Sequence, residues 1–230
     1  ESGGGTTATE GGDNDTFTVQ LTSRPTGSVV ISVQAGNSAD VSVSPTTLSF
    51  TDSSSSWQTA QTVTVSAIND AVDDDNVTST ITVSVNTSST TDGKYDLVSA
   101  ENVTVVTVSD NDTVGLVLSK SSAVVSENGS VSDNVSVVLS SQPTDNVTVT
   151  VSDNDSTEVS ASPATLTFSP SDWSVAQWVT LAGKDDNVSD DNQTSLLSWS
   201  IDSADSKYQG LSDNLSVTTL DNDTAGIVLS

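Results

Sequence analysis

The chain has 230 residues, with 31 acidic against 5 basic side chains and a formal net charge of -26. It contains no Cys, His or Met, which excludes thiolate and imidazole metal sites and leaves hard cations such as Ca²⁺ or Mg²⁺. The same absences exclude Ser-His and Cys-His nucleophile pairs, and the negative charge disfavours nucleic acid and anionic lipid as partners.

Hydrophobic residues alternate with Ser and Thr along most of the sequence, beginning with Phe17, Val19 and Leu21. Alternation with a period of two is typical of half-buried strands. In the first half it predicts strands near residues 5–9, 16–22, 28–34, 41–50, 60–68, 77–85 and 101–109. No stretch has helical periodicity, so we predict an all-β fold made of antiparallel, immunoglobulin-like sandwiches of about seven strands each.

The second half of the chain repeats the first. Pro25, Pro45 and Trp57 recur as Pro143, Pro163 and Trp173. The tetrapeptide Asp-Asn-Asp-Thr at 110–113 recurs at 221–224, and in both of these places it precedes a hydrophobic strand with a glycine near its start. We therefore predict two tandem sandwich domains, 1–112 with a truncated opening strand and 113–223, and assign 224–230 to the first strand of a following repeat.

Acidic residues gather at one end of each predicted sandwich. If consecutive strands are antiparallel, the first, third and fifth loops and the exit from the seventh strand share that end. In the first repeat this end collects Glu10, Asp13, Asp15, Asp40, Asp70, Asp73, Asp74, Asp75, Asp110 and Asp112. In the second it collects Glu127, Asp133, Asp153, Asp155, Glu158, Asp185, Asp186, Asp190, Asp191, Asp221 and Asp223.

Such a cluster needs a counter-ion. Two carboxylates about 4 to 5 Å apart repel by ~1 kcal/mol in water, and by several kcal/mol at an effective dielectric constant near 20. Ca²⁺ takes six to eight oxygen ligands from flexible loops, and it suits a large, loose cluster better than octahedral Mg²⁺ does. Two alternatives stay open, namely that the acidic loops are simply solvated or that the charge is a salt adaptation.

Four motifs of the first repeat resemble those of the Calx-beta family, the calcium-binding sandwich domains of sodium/calcium exchangers and of long bacterial surface proteins. The motifs are Thr-Glu-Gly-Gly at 9–12, the acidic bend at 69–76, Asp-Asn-Asp at 110–112 and the strand that begins near Gly115. The resemblance implies calcium ligands at Glu10, Asp40, Asp70, Asp73, Asp110 and Asp112, and at Glu127, Glu158, Asp185, Asp186, Asp221 and Asp223. Asp74, Asp75, Asp190 and Asp191 converge on the same ends and are further candidates.

The favoured function is a calcium-binding structural module of a long, secreted or cell-surface bacterial protein, in which Ca²⁺ stiffens the joints between repeats. Neighbouring repeats are then the main partners, and the chain, as a fragment, is expected to be monomeric and not inserted in a membrane. An adhesive module that binds cell-surface glycan or protein, or a calcium sensor, is the alternative. Carboxylate pairs also occur in glycosidases, but no aromatic-lined cleft is indicated, so we do not expect an enzyme.

The four Trp residues are expected to be structural. Trp57 and Trp173 occupy the same place in the two repeats, which favours packing against the sandwich over carbohydrate stacking. Trp178 and Trp199 have no counterpart in the first repeat and are interpreted as local packing. Thirteen of the 15 Asn residues begin an Asn-x-Ser/Thr sequence, which leaves open whether any is glycosylated.

Overall fold

A computed structural model describes residues 5–53, 55–153 and 157–229, and within them it leaves the side chains of 104–106 undescribed. The contacts divide the chain into unit 1, Glu1–Asp70 with Asp74–Asn111, and unit 2, Ala71–Asp73 with Asp112–Ser230. The prediction of an all-β fold is confirmed. Within the described residues, no helix is long and apolar enough to cross a membrane.

Unit 1 contains eight strands and one turn of 3-10 helix, Tyr95–Leu97. The strands are β1 (Thr7–Thr9), β2 (Asp15–Val19), β3 (Val29–Ala35), β4 (Val41–Ser44), β5 (Thr47–Phe50), β6 (Gln61–Ala67), β7 (Val77–Val85) and β8 (Glu101–Ser109). They form a five-stranded sheet in the order β1-β8-β7-β3-β5 and a three-stranded sheet in the order β2-β6-β4. All pairs are antiparallel except β1 and β8, which run parallel.

Unit 2 contains nine strands. They are β9 (Leu116–Leu118), β10 (Ser122–Ser126), β11 (Ser132–Leu139), β12 (Val147–Asp153), β13 (Val159–Ser162), β14 (Thr165–Phe168), β15 (Gln177–Gly183), β16 (Gln193–Ser203) and β17 (Ser212–Leu220). One sheet has the order β10-β17-β16-β12-β14, with β10 parallel to β17, and the other has the order β13-β15-β11-β9. In each unit the last strand therefore runs parallel to the strand before the first acidic loop, β1 in unit 1 and β10 in unit 2.

The single strand predicted at 41–50 is wrong, because the structure divides it into β4 and β5. β4 pairs with β6 in one sheet, whereas β5 pairs with β3 in the other. Pro45 lies between them, and Pro163 lies at the same place between β13 and β14. Proline has no N–H to donate to a ladder, so the chain leaves one sheet there and enters the opposite one.

Each unit encloses one hydrophobic core between its two sheets. Phe50, Val33 and Ile81 are fully buried in unit 1, and Trp199 and Phe168 in unit 2. Trp57 and Trp173 pack half-buried against these cores, as predicted. The prediction for Trp178 is wrong, since its side chain is 60% exposed. It occupies an outward position of β15, next to the inward Val179.

The C-terminal residues 224–229 have no strand assigned. Ile227, Val228 and Leu229 are 91%, 93% and 93% exposed. Their assignment to the first strand of a following repeat stays a prediction.

Candidate metal centre

Three carboxylates of unit 2 lie close together at one end of its sandwich. Glu127 directly follows β10, and Asp221 and Asp223 directly follow β17, its parallel neighbour. Because parallel strands end at the same edge, these side chains meet there. One oxygen atom from each of the three lies within 4.8 Å of the other two. Glu127 is only 4% exposed, whereas Asp221 and Asp223 are half-buried.

The Asp221 carboxylate is held in place by the backbone around it. Its Oδ2 accepts hydrogen bonds from the N–H groups of Asp190 (3.2 Å) and Asp191 (2.9 Å), and its Oδ1 accepts one from Asp223 N (2.6 Å). Asp191 has a φ of 64°, a left-handed conformation that Asp tolerates better than most residues. In turn, Asp221 N donates to the Asn192 side chain (3.1 Å). The loop before β16 and the exit from β17 are therefore fixed to each other.

Burial and crowding raise the proton affinity of this site. Burial, followed by the charge of Asp221 and its neighbours, raises the pKa of Asp223 above its usual value of 3.8. Burial also raises the pKa of Glu127 above 4.5, although a hydrogen bond from Asn222 N opposes the shift. The charges of Asp186 and Asp190 act on both groups, so the acidic loop 185–191 belongs to the same electrostatic cluster.

The same constellation occurs in the first repeat. Oxygen atoms of Glu10, Asp110 and Asp112 lie within 4.8 Å of one another, and Glu10 is 5% exposed. Asp110 Oδ2 accepts a hydrogen bond from Asp75 N (3.0 Å), and Asp110 N donates to Asn76 Oδ1 (3.0 Å). Asp75, like Asp191, has a positive φ of 65°. In both repeats, the aspartate that follows the last strand, Asp110 or Asp221, is therefore fixed by the same pair of hydrogen bonds. It accepts one from the N–H of an aspartate with positive φ and donates one to an asparagine side chain.

The other predicted ligands of the first repeat occupy varied environments. Asp74 is half-buried, and Asp70 and Asp75 are exposed. Asp40 accepts a hydrogen bond from the side chain of Asn37. The carboxylate of Asp73 belongs to unit 2 and accepts hydrogen bonds from Lys207 Nζ (2.9 Å) and Val114 N (3.0 Å). A lysine ion pair satisfies that carboxylate without a metal, whereas Asp110 and Asp112 face Glu10.

The remaining candidates of the second repeat surround the three-carboxylate group. Asp185, Asp190 and Asp191 are exposed and Asp186 is half-buried. Glu158 is only 5% exposed and precedes β13, and its backbone oxygen accepts a hydrogen bond from Lys184 N (2.9 Å). Two other acidic residues, Asp133 and Asp155, were also expected at this end. Asp133 forms an ion pair with Lys120 (2.5 Å). Asp155 lies outside the described residues.

Sequence reasoning missed the hydrogen bonds of asparagine side chains that hold the site together. Asn76 and Asn192 receive the backbone N–H of the two exit aspartates, and Asn111 Nδ2 donates to Glu10 O (2.8 Å) and to Asn69 Oδ1 (2.8 Å). Asn76 and Asn192 occupy the same position of the repeat, directly after the acidic bend. That recurrence is the signal from which their role could have been inferred.

No family model matches the chain, and no curated protein matches its sequence. Among solved structures, the chain is similar to the apo form of the Calx CBD1 domain, with 17% identity, coverage of 48% of this chain and 99% of that one, and a TM-score of 0.38. Domains 4 and 5 of the S-layer protein SbsC give 14% identity, coverage of 83% and 70%, and a TM-score of 0.38. The periplasmic chaperone SfaE gives 8% identity, coverage of 50% and 61%, and a TM-score of 0.38. These likenesses are too distant to assign a family or a function.

Proposed function

We propose that each repeat is a Calx-beta-like calcium-binding module of a long secreted or cell-surface bacterial protein. The observation that carries the proposal is the group of three carboxylates, one of them nearly fully buried, that recurs in both repeats. Glu127, Asp221 and Asp223 would hold the ion in unit 2, and Glu10, Asp110 and Asp112 in the first repeat. Bound Ca²⁺ supplies the positive charge that offsets their mutual repulsion.

The donor set fits a hard cation. All six groups offer carboxylate oxygen, the ligand type that Ca²⁺ prefers. In unit 2 the Oδ2 atom of Asp223 is buried and has no hydrogen-bond partner in the described part of the chain. A buried, ionised oxygen without a partner is costly, and a cation at this position would remove that cost.

Binding at these residues would order the exit of the module. Asp221 is bonded to the acidic loop at 190–191, and Asp221 and Asp223 form the segment through which the chain leaves β17. Calcium would hold this segment against Glu127 at the end of β10. We propose that the module serves as a structural spacer whose onward connection becomes stiffer when calcium is bound.

The test is a calcium titration of the chelator-treated chain by calorimetry, together with melting curves in excess chelator and in excess calcium. A ligand at one hundred times its dissociation constant stabilises a folded domain by about 2.7 kcal/mol. For domains near this size, that stabilisation raises the melting temperature by roughly 10–20 °C. A melting curve and a heat of titration that do not respond to calcium would refute the proposal.

The variant Glu127→Gln gives the site-specific control. Without calcium it should melt at the same or a higher temperature than the parent, because it removes a carboxylate whose charge is disfavoured there. With calcium it should lose most of the stabilisation of unit 2. Asp145→Asn changes the net charge equally at an exposed loop outside the site, and it should leave the calcium response intact.

A further inference from the structure

Trp178 is the most exposed of the four tryptophans. It is 60% exposed, whereas Trp57 and Trp173 are half-buried and Trp199 is fully buried. It stands at an outward position of β15, next to the inward Val179. Tryptophan is highly buried on average, and where its ring faces water it is enriched at binding surfaces. Packing within unit 2 therefore does not account for an indole at this position.

The first repeat has a threonine at the same place. β6 and β15 are equivalent strands, and Thr62 stands where β15 has Trp178. Thr62 faces Thr18 on β2, and Trp178 faces Ser136 on β11. A hydroxyl side chain is thus sufficient for the fold at this position. The tryptophan is a feature of the second repeat that the shared architecture does not require.

Side chains that form hydrogen bonds surround Trp178 on the outer face of its sheet. Ser136 lies directly opposite it, and Thr180, two residues along β15, lies opposite Asn134. The Thr180 hydroxyl donates to Asn134 Oδ1 (2.7 Å), which fixes the orientation of the amide. In the described part of the chain, the two N–H donors of Asn134 Nδ2 bond to no other group. An apolar ring and a fixed pair of donors therefore stand side by side.

This outer face carries no charge. The outward positions of β9, β11, β13 and β15, all of them among the described residues, hold only Ser, Thr, Asn, Ala, Val and Trp. An ionic ligand would find no counter-charge on the face, although the chain has 31 acidic and 5 basic side chains. Nucleobases also stack on indoles, but the net charge of -26 repels nucleic acid. The face therefore suits an uncharged ligand.

The apolar part of the face is small. A whole aromatic side chain offers about 150–250 Å², and only 60% of Trp178 and 46% of Val117, the outward residue of β9, are exposed. A stable protein interface buries about 800 Å² per partner, so this area is too small for a protein partner. A second copy of the chain would also be repelled by its own charge of -26. One indole matches the face of a single six-membered sugar ring.

We propose that Trp178 and the polar side chains beside it bind an uncharged glycan built of pyranose rings. The C–H bonds on one face of a pyranose are weakly positive and stack on the negative face of an indole. The hydroxyl groups at the rim of a sugar stacked on Trp178 then meet Ser136, Thr180 and Asn134. The Asn134 amide donates, and the Thr180 hydroxyl, whose hydrogen is engaged with Asn134, accepts.

Titration followed by the indole N–H signals in ¹H–¹⁵N NMR spectra tests the site. The chain has four tryptophans, and the signal of Trp178 is the one that disappears in Trp178→Thr. The probes are the neutral hexasaccharides of β-linked glucose, N-acetylglucosamine and xylose, with hexagalacturonic acid as the anionic comparison. We expect at least one neutral probe to shift the Trp178 signal saturably, and the anionic probe to bind several-fold more weakly. No shift with any neutral probe at millimolar concentration, or equal binding of the anionic one, would overturn the proposal.

Calorimetry with the neutral probe that shifts Trp178 measures the contribution of each side chain. Trp178→Thr, which installs the residue of the first repeat, should weaken binding by roughly tenfold to a hundredfold, because it removes the stacking surface. Asn134→Ala should weaken it by roughly threefold to tenfold, since two donors are lost. Both positions are exposed, and an unchanged melting temperature of unit 2 verifies that the fold is intact. Unaltered affinity in Trp178→Thr would contradict the assignment.

A transfer of the tryptophan provides the matched control. Thr62→Trp is introduced into the Trp178→Thr chain, which places an exposed indole on the equivalent strand of the first repeat. Thr16 stands there in the place of Asn134, opposite Thr64. Binding should not return, because the fixed amide is missing. Recovery of the full affinity would show that any exposed tryptophan suffices and would refute a site made by these residues.

Sedimentation velocity and a comparison with and without calcium complete the test. The chain should sediment as a monomer at every concentration, and self-association that Trp178→Thr abolishes would assign the face to a second copy instead. None of the residues of this site is a proposed calcium ligand, so glycan affinity should be the same in excess chelator and in calcium. Glycan binding without a calcium response would leave this inference standing and remove the proposed function. A calcium response without glycan binding would do the reverse.

Discussion

The Tyr208 hydroxyl bridges two elements of unit 2, and its removal has a cost that can be worked out from its contacts. The side chain is 0% exposed, and its Oη donates to Ser141 O (2.6 Å) and lies 2.9 Å from Ser141 Oγ. It also accepts from Ser141 N (3.2 Å), and Ser141 is itself 0% exposed. In Tyr208→Phe, the groups of Ser141 lose these bonds where water cannot replace them.

Each buried polar group left without a partner costs about 1–3 kcal/mol, so we expect unit 2 to lose about 2–4 kcal/mol of unfolding free energy. At roughly 4–8 °C per kcal/mol for a small domain, its melting temperature should fall by about 10–20 °C. Scanning calorimetry should be used, because the two units can unfold as separate transitions. Only one transition should move.

Unit 1 provides the matched control. Tyr95 OH donates to Ser23 O (2.6 Å) and lies 3.0 Å from Ser23 Oγ, but Tyr95 is half-buried and Ser23 is exposed. Water can therefore take the place of the lost hydroxyl, and Tyr95→Phe should cost no more than about 1 kcal/mol. Equal shifts in the two variants, or a Tyr208→Phe shift as small as that of Tyr95→Phe, would refute the reasoning from burial.

Two further predictions concern the carboxylate site of unit 2. In excess chelator, unit 2 should become more stable as the pH falls from 7 toward the raised pKa values of Glu127 and Asp223. A carboxyl group whose pKa is raised on folding stabilises the folded state when it is protonated. It loses that contribution as the pH rises through its pKa in the folded state. Below about pH 4 the trend should reverse, because the pKa values of Asp133, beside Lys120, and of Asp172, bonded to the Ser169 backbone, are held below 3.8, and both groups lose their stabilising charge on protonation. Melting curves from pH 3 to 7 check both parts of this profile. A melting temperature that falls steadily from pH 7 downward would contradict the predicted rise. Gly183→Ala should weaken calcium binding in unit 2, because the added Cβ would lie 2.5 Å from Ser126 O and 3.0 Å from Glu127 N and would displace the main chain that carries Glu127. Titration calorimetry of Gly183→Ala tests this prediction. It should be run beside Ala67→Gly, the reverse change at the equivalent position of unit 1. An unaltered calcium affinity in Gly183→Ala would show that the main chain adapts to the added Cβ.

Much of the fold could be predicted because Ser and Thr alternate with buried aliphatic residues. Phe17, Val33 and Val65 were placed in strands by that period alone, and the structure buries all three. The change of sheet at Pro45 was not predicted, because alternation continues on both sides of the proline. Periodicity records which residues are buried, and both sheets bury theirs in the same core. The recurrence of Pro163 was the available signal.

The candidate site was predictable in outline but not in detail. The repeated Asp-Asn-Asp sequence put Asp110 and Asp221 at the same end as Glu10 and Glu127, because strand direction fixes which ends meet, and the structure brings these carboxylates together. Their role as metal ligands stays a prediction. The ion pair of Asp73 with Lys207 joins residues 134 positions apart, and no local pattern reports such a distant partner. Trp178 is exposed for a related reason: its strand position alternates outward, and composition alone suggested burial.

The parallel pairing of β1 with β8 and of β10 with β17 has a mechanical consequence. A pulling force applied to the start of β10 and the end of β17 loads the β10–β17 ladder along its length. All five residue pairs of this ladder, from Ser122↔Ser216 to Ser126↔Leu220, then bear the force in shear, so their hydrogen bonds must break together. The β1–β8 ladder of unit 1 has only three such pairs, from Thr7↔Thr107 to Thr9↔Ser109. Under tension, unit 1 should rupture first, at a rate set by its unfolding barrier rather than by its equilibrium stability.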